Sequence, residues 1–83
     1  MKEKDTYTFQ VERVRRVVEE NWPGKIVEVD PSPLAIRFRV MEPAIGTELA
    51  RVLEHWEPSE FADKFPTDKD LSKFIKTRSN GLL

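Results

Sequence analysis

The sequence contains no cysteine, and this absence removes one source of stability and one class of metal ligand. Without thiols, neither a disulfide framework nor a thiolate metal site can form. The sequence also lacks any apolar run near the roughly 20 residues of a membrane span, and its first residues are charged, unlike the apolar region of a secretory signal. These absences predict one soluble domain over residues 1–83, with a cytoplasmic location.

Glycine and histidine are also scarce, which limits the chemistry available to the chain. Gly24, Gly46 and Gly81 are isolated from one another, so no glycine-rich phosphate cradle is expected. His55 is the only histidine and lacks the second histidine of an H-E-x-x-H metal motif. No serine or threonine stands in a recognisable nucleophile motif. We therefore expect no catalytic residue, cofactor or metal site, and a small enzyme centred on His55 is the least favoured hypothesis.

Alternating apolar and polar residues predict a β-hairpin across residues 25–41. The pattern holds on both sides of the Asp-Pro-Ser-Pro segment at 30–33, which is typical of a turn. The predicted register pairs Val29 with Leu34, so that apolar partners share one face. Arg37 and Arg39 then lie on the opposite, polar face of the hairpin.

A first helix is predicted between residues 8 and 22, where valines recur on one side and charged residues occupy the rest. Glu12 with Arg16 and Arg15 with Glu19 have the i,i+4 spacing of ion pairs along a helix. Residues 5–10 also alternate between apolar and polar side chains. An alternative is therefore open, in which this segment is a third strand of the sheet.

Two further helices and a short helical turn are predicted after the hairpin. Apolar residues at helical spacing follow Thr47, a good N-cap residue, and predict a helix over residues 48–56. Residues 59–65 are compatible with one short helical turn. Thr67 begins an approximate capping box for a last helix, which ends before Ser79.

These elements predict an α+β fold. A small antiparallel hairpin, with the third strand as an option, packs against three helices in the order α-β-β-α-(short α)-α. The predicted core collects the apolar positions of every element: Val11, Val14, Val18, Val27, Val29, Leu34, Ile36, Phe38, Leu49, Val52, Leu53, Trp56, Leu71, Phe74 and Ile75.

Charge is nearly balanced over the whole chain but unevenly distributed along it. The net charge is −1, with 14 basic and 15 acidic residues. Residues 42–63 carry a net charge of −5 and residues 64–83 a net charge of +3. Such segregation often marks a surface for a charged partner, but the more common explanation is that the two regions attract each other within one folded chain or form separate solvated faces.

Two binding hypotheses follow from this pattern. The first is a non-enzymatic binding or regulatory protein that acts through a protein partner or a homodimer. Self-association through an uncovered strand edge is one route, and surface aromatics among Trp22, Trp56, Phe61 and Phe65 are another.

The alternative is a nucleic-acid-binding protein. Its phosphate contacts would come from a lysine stripe on the last helix, defined by Lys69, Lys73 and Lys76, together with Arg37 and Arg39 on the hairpin. The acidic isoelectric point, near 5.8, counts against this alternative.

Overall fold

The computed structural model describes residues 6–31 and 34–83, which form three helices and one three-stranded antiparallel sheet. This is the predicted α+β class, and the sheet does contain a third strand. No helix in the described ranges is long and apolar enough to cross a membrane. The elements follow in the order α1 (Tyr7–Asn21), β1 (Ile26–Val29), β2 (Phe38–Glu42), β3 (Thr47–Val52), α2 (Pro58–Lys64) and α3 (Asp68–Arg78).

Helix α1 confirms the first predicted helix and begins and ends one residue earlier than predicted, at Tyr7 and Asn21. The Thr6 hydroxyl accepts a hydrogen bond from the amide of Phe9, so it acts as the N-cap. Because residues 7–10 are helical, the proposal that 5–10 form a strand is wrong for these residues. Residue 5 lies outside the described ranges.

Strands β1 and β2 form the predicted hairpin, but in a different register. Val29 pairs with Phe38 instead of Leu34, which moves the partner four positions along the chain, from 34 to 38. An even shift leaves the side chains of the paired residues on their predicted faces, because side chains alternate with a period of two. Beyond the hydrogen bond from the Asp30 amide to the carbonyl of Arg37, residues 34–36 lie outside the ladder, and the Ile36 amide donates to the carbonyl of Trp56. Leu34, predicted in the core, is 76% exposed there.

The predicted helix over residues 48–56 is wrong, because residues 47–52 form strand β3. A tight turn joins β2 to β3, and Gly46 closes it with φ of +66° while its amide donates to the carbonyl of Glu42. Ala50 and Val52 are buried in the core, and Arg51 between them is exposed, as the alternation of a strand requires. A two-stranded hairpin is marginally stable in water, and pairing with β3 adds a third strand to the sheet.

Helices α2 and α3 confirm the short helical turn and the last helix. The Thr67 hydroxyl accepts a hydrogen bond from the amide of Asp70 and donates one to its carboxylate at 2.9 Å. This reciprocal arrangement is close to the predicted capping box. The buried residues Leu71 and Ile75 of α3 face the core.

All three helices contribute to a core on one face of the sheet. Valines of α1 pack with alternate residues of the strands and with the apolar side of α3. Within residues 6–31 and 34–83, no helix lies over the other face of the sheet. The buried apolar residues that the sequence did not place in the core are Val17, Ala35, Val40, Ala50, Phe61 and Phe65.

The large aromatics belong to this core, so the hypothesis that they anchor a partner at the surface is not supported by their positions. Phe61 is fully buried, and its ring centroid lies 4.9 Å from that of Phe65. Trp56 packs at the edge of the same cluster, 5.9 Å from Phe65. Trp22 is half-buried against the core. Edge-to-face contacts of this kind add stability beyond the area that they bury.

Candidate interaction surfaces

Arg37 and Arg39 lie on the face of the sheet that the helices leave uncovered, as predicted. This sheet face consists of three rows that cross the strands. The register and the hydrogen bonds between strands place these residues on it: Asp30, Arg37 and Leu53 in the first row, Glu28, Arg39 and Arg51 in the second, and Ile26, Met41 and Glu48 in the third.

The arginines of the sheet face are already paired with carboxylates. Arg37 lies 3.0 Å from Asp30 and also donates to the carbonyl of Leu53. Glu48 bridges Arg39 and Arg51, at 3.1 Å and 2.7 Å, and so relieves the repulsion between two arginines that stand directly opposite each other. The hydrogen bond that Arg51 donates to Glu48 also raises the pKa of Arg51.

The sheet face therefore carries no net charge, because three acidic and three basic residues lie on it. A polyanion would have to compete with internal carboxylates for every guanidinium group. The arrangement is typical of an antiparallel sheet with one face toward water.

The lysine stripe lies on the opposite side of the molecule. Lys69, Lys73 and Lys76 are exposed on α3 and point away from Leu71 and Ile75, which face the sheet. Since α3 packs on the covered side of the sheet, these lysines and the arginines of the sheet face cannot contact one flat ligand together. The structure thus does not unite the five residues that the sequence suggested as one binding site.

The lysine stripe differs from the arginines in having no partner. Every arginine donates to a carboxylate or a backbone carbonyl. The ammonium groups of Lys69, Lys73 and Lys76 form no ion pair with any carboxylate in the described parts of the chain. Unpaired and exposed cations are free to meet an external partner.

An acidic pair that the sequence did not single out lies on α1. Glu12 and Glu19 are exposed on the side of α1 away from the core. The predicted helical partners do not reach them: Arg16 donates to Asp68 at 2.8 Å and Arg15 donates to the carbonyl of Val27 at 2.9 Å. Both glutamates are thus left without an ion pair within the described ranges.

The junction between α1 and α3 is held by a buried arginine. Arg13 is 7% exposed; its Nε donates to Asp68 at 2.8 Å, and its Nη atoms donate to Gln10 and to the carbonyl of Phe65. Arg16 binds the second carboxylate oxygen of Asp68 from outside. Hydrogen bonds from Arg13 and then Arg16 hold the pKa of Asp68 below its ordinary range.

Both edges of the sheet have an arginine near an outward carbonyl. Arg15 donates to the carbonyl of Val27 on β1, and Arg78 makes a longer contact of 3.4 Å with the carbonyl of Arg51 on β3. Arg78 also pairs with Glu54, which lowers the pKa of that carboxyl and links the acidic and basic halves of the sequence. Charged side chains along an edge disfavour the addition of another strand.

The remaining candidates offer little chemistry. His55 is exposed in the connection between β3 and α2. In the part of the chain that the structure describes, no three His, Cys, Asp or Glu residues are grouped to hold a metal ion. An open groove of about 610 Å³ lies beside α3, with Phe65 and Phe74 among its lining residues. Two acids and two lysines also line it, so it favours neither charge.

The chain matches no protein-family model, no curated protein and no solved structure. Function is therefore argued from the surfaces described above.

Proposed function

We propose that the chain is a small, non-enzymatic binding or regulatory protein that acts by contact with a protein partner or with a second copy of itself. We call α1, α2 and α3 together the helix layer. The observation that supports this proposal is that the unpaired Glu12 and Glu19 on α1 and the unpaired lysine stripe on α3 are exposed on neighbouring helices of this layer. Complementary charges of this kind steer and orient protein partners.

The mixed sign of this surface favours a protein over a polyanion. Glu12 and Glu19 would repel phosphates that approach the neighbouring lysines, whereas a protein surface can present charges of both signs. The sheet face has no net charge, so it adds no long-range electrostatic attraction for a polyanion.

Capture from a nuclease-treated lysate of the native source tests the proposal with three baits. The wild-type chain and Arg39→Gln/Arg51→Gln, which changes only the sheet face, should retain the same protein. Lys69→Gln/Lys73→Gln/Lys76→Gln should lose it. Equal retention by all three baits would contradict the assignment to the helix layer.

The unpaired lysines also support a second candidate function, the binding of nucleic acid. If the lysine stripe contacts phosphates of a duplex oligonucleotide, the log–log dependence of affinity on salt should have a slope near −0.9 per contacted phosphate. Replacing the three lysines by glutamine should flatten this slope by about two to three. Arg39→Gln is the matched control and should leave the slope unchanged, because Arg39 lies on the other side of the molecule. Weak binding that the triple substitution does not alter would eliminate this candidate.

A further inference from the structure

We infer that the partner of the helix layer is a second copy of this chain, bound in a two-fold symmetric dimer in which α1 of each copy faces α3 of the other. This inference rests on the proposed function and names its partner. In a two-fold symmetric dimer both copies use the same surface. If residue i of the first copy contacts residue j of the second, then residue j of the first also contacts residue i of the second, so the surface must carry both members of each pair. The acidic pair and the lysine stripe supply these two halves.

The spacing of the charges is the same on both helices. Glu12 and Glu19 are seven residues apart, and so are Lys69 and Lys76. Seven residues of helix rise about 10 Å, so both glutamates can meet both lysines at the same time. The two stripes cannot satisfy each other within one copy, since they point outward from neighbouring helices.

The acidic pair on α1 and the lysine stripe on α3 also lie on one continuous surface. The exposed Arg16–Asp68 ion pair, with side chains 50% and 47% accessible, joins the outer sides of α1 and α3. Asp68 also holds the Arg16 guanidinium toward α3, although this single carboxylate is shared with Arg13 and does not cancel both positive charges. Arg13, Arg15 and Arg16 thus all have hydrogen-bond acceptors inside the monomer, whereas Glu12 and Glu19 form no ion pair within the described ranges.

The alternative routes to a dimer are less well supported. Dimerisation by adding a strand to the sheet is disfavoured, because Arg15 and Arg78 bind outward carbonyls at its two edges. The large aromatics pack in the core, so no aromatic anchor comes from Phe61 or Phe65. An interface held mainly by exposed ion pairs is weak and depends strongly on salt.

Sedimentation velocity over a concentration series tests the inference by charge reversal. The wild-type chain should show a monomer–dimer equilibrium at low salt, and its dissociation constant should rise about tenfold or more between about 50 mM and 500 mM salt. Glu12→Lys/Glu19→Lys and Lys69→Glu/Lys76→Glu should each be monomeric, because each presents charges of one sign to its own copy. An equimolar mixture of the two variants should recover the dimer, since each then meets its opposite.

Circular dichroism of both variants controls for folding, and Arg39→Gln on the sheet face is the matched surface control. A wild-type chain that stays monomeric at every concentration and salt would overturn the inference. A mixture that stays monomeric while both variants are folded would also overturn it. If the wild-type chain is monomeric but still captures another protein through the lysine stripe, the inference fails and the proposed function stands. If it does neither, both fail.

Discussion

Replacing Arg13 by methionine should destabilise the fold far more than the same replacement at Arg16. Both arginines bind Asp68, but their surroundings differ: the Arg13 side chain is 8% exposed and that of Arg16 is 50% exposed. Methionine keeps most of the apolar stem and removes the guanidinium group, so the comparison isolates the polar contacts.

The magnitude follows from the groups that lose their donor. Without Arg13 the buried carbonyl of Phe65 loses its bond to the guanidinium group, and an unsatisfied buried acceptor costs roughly 1–3 kcal/mol. The bond to Asp68 is charge-assisted, but this carboxylate is half exposed and water recovers part of the loss. We expect a total of about 3 kcal/mol for Arg13→Met. The exposed Arg16 pair should contribute about 1 kcal/mol or less.

Urea unfolding followed by circular dichroism measures both free energies on the same scale. For a domain of this size, about 3 kcal/mol lowers the melting temperature by roughly 12–24 °C. Equal losses for Arg13→Met and Arg16→Met would refute the reasoning, because they would show that burial of the guanidinium group does not matter.

Two further predictions concern α3 and the response to acid. Thr67→Ala removes the N-cap and should cost about 1 kcal/mol in the free energy of unfolding, whereas Ser72→Ala, which removes a bond within the same helix, should change it by only a few tenths. If Thr67→Ala lowers the free energy of unfolding no more than Ser72→Ala does, the capping role of Thr67 is contradicted. The pKa of Asp68 is lowered in the folded chain, so its stabilising effect is complete above the ordinary value of 3.8 and disappears as the pH falls through the lowered pKa. Thermal unfolding between pH 6 and 2 should therefore show a smaller acid loss in Asp68→Asn than in the wild-type chain, and identical pH profiles would exclude this role.

The hairpin shows why its faces were predictable from sequence when its register was not. Which side of a strand a residue occupies depends only on alternation, and alternation placed Val27 toward the core and Arg39 toward water. The register also depends on the length of the connection. In the structure this connection is bonded to a distant part of the chain through the Ile36 amide and the carbonyl of Trp56, which local sequence does not reveal.

Strand β3 was missed because its residues satisfy two periods at once. Leu49, Val52 and Leu53 have helical spacing, while Ala50 and Val52 have the alternation of a strand. Helix-favouring residues in this segment supported the wrong choice, and the sheet's need for a third strand overrode that preference. The signal that could have decided the matter is Gly46, at the end of a short turn that directly follows a predicted strand.

The proposed binding surface was half visible in the sequence. The position of the lysine stripe on α3 followed from helical spacing, and no carboxylate among the described residues pairs with its ammonium groups. Glu12 and Glu19 appeared to be neutralised by Arg16 and Arg15, and only the tertiary contacts of these arginines with Asp68 and Val27 show that the glutamates are unpaired.

The central claim is that the helix layer, and not the sheet face, makes contact with a partner. Amide chemical shifts recorded while the protein concentration is raised at low salt test it most directly, since each shift reports on its own residue. We expect the concentration-dependent shifts to cluster around Glu12 and Glu19 on α1 and around the lysine stripe on α3, and to vanish at high salt. Shifts centred on Arg39 and Arg51, or no dependence on concentration, would contradict the claim.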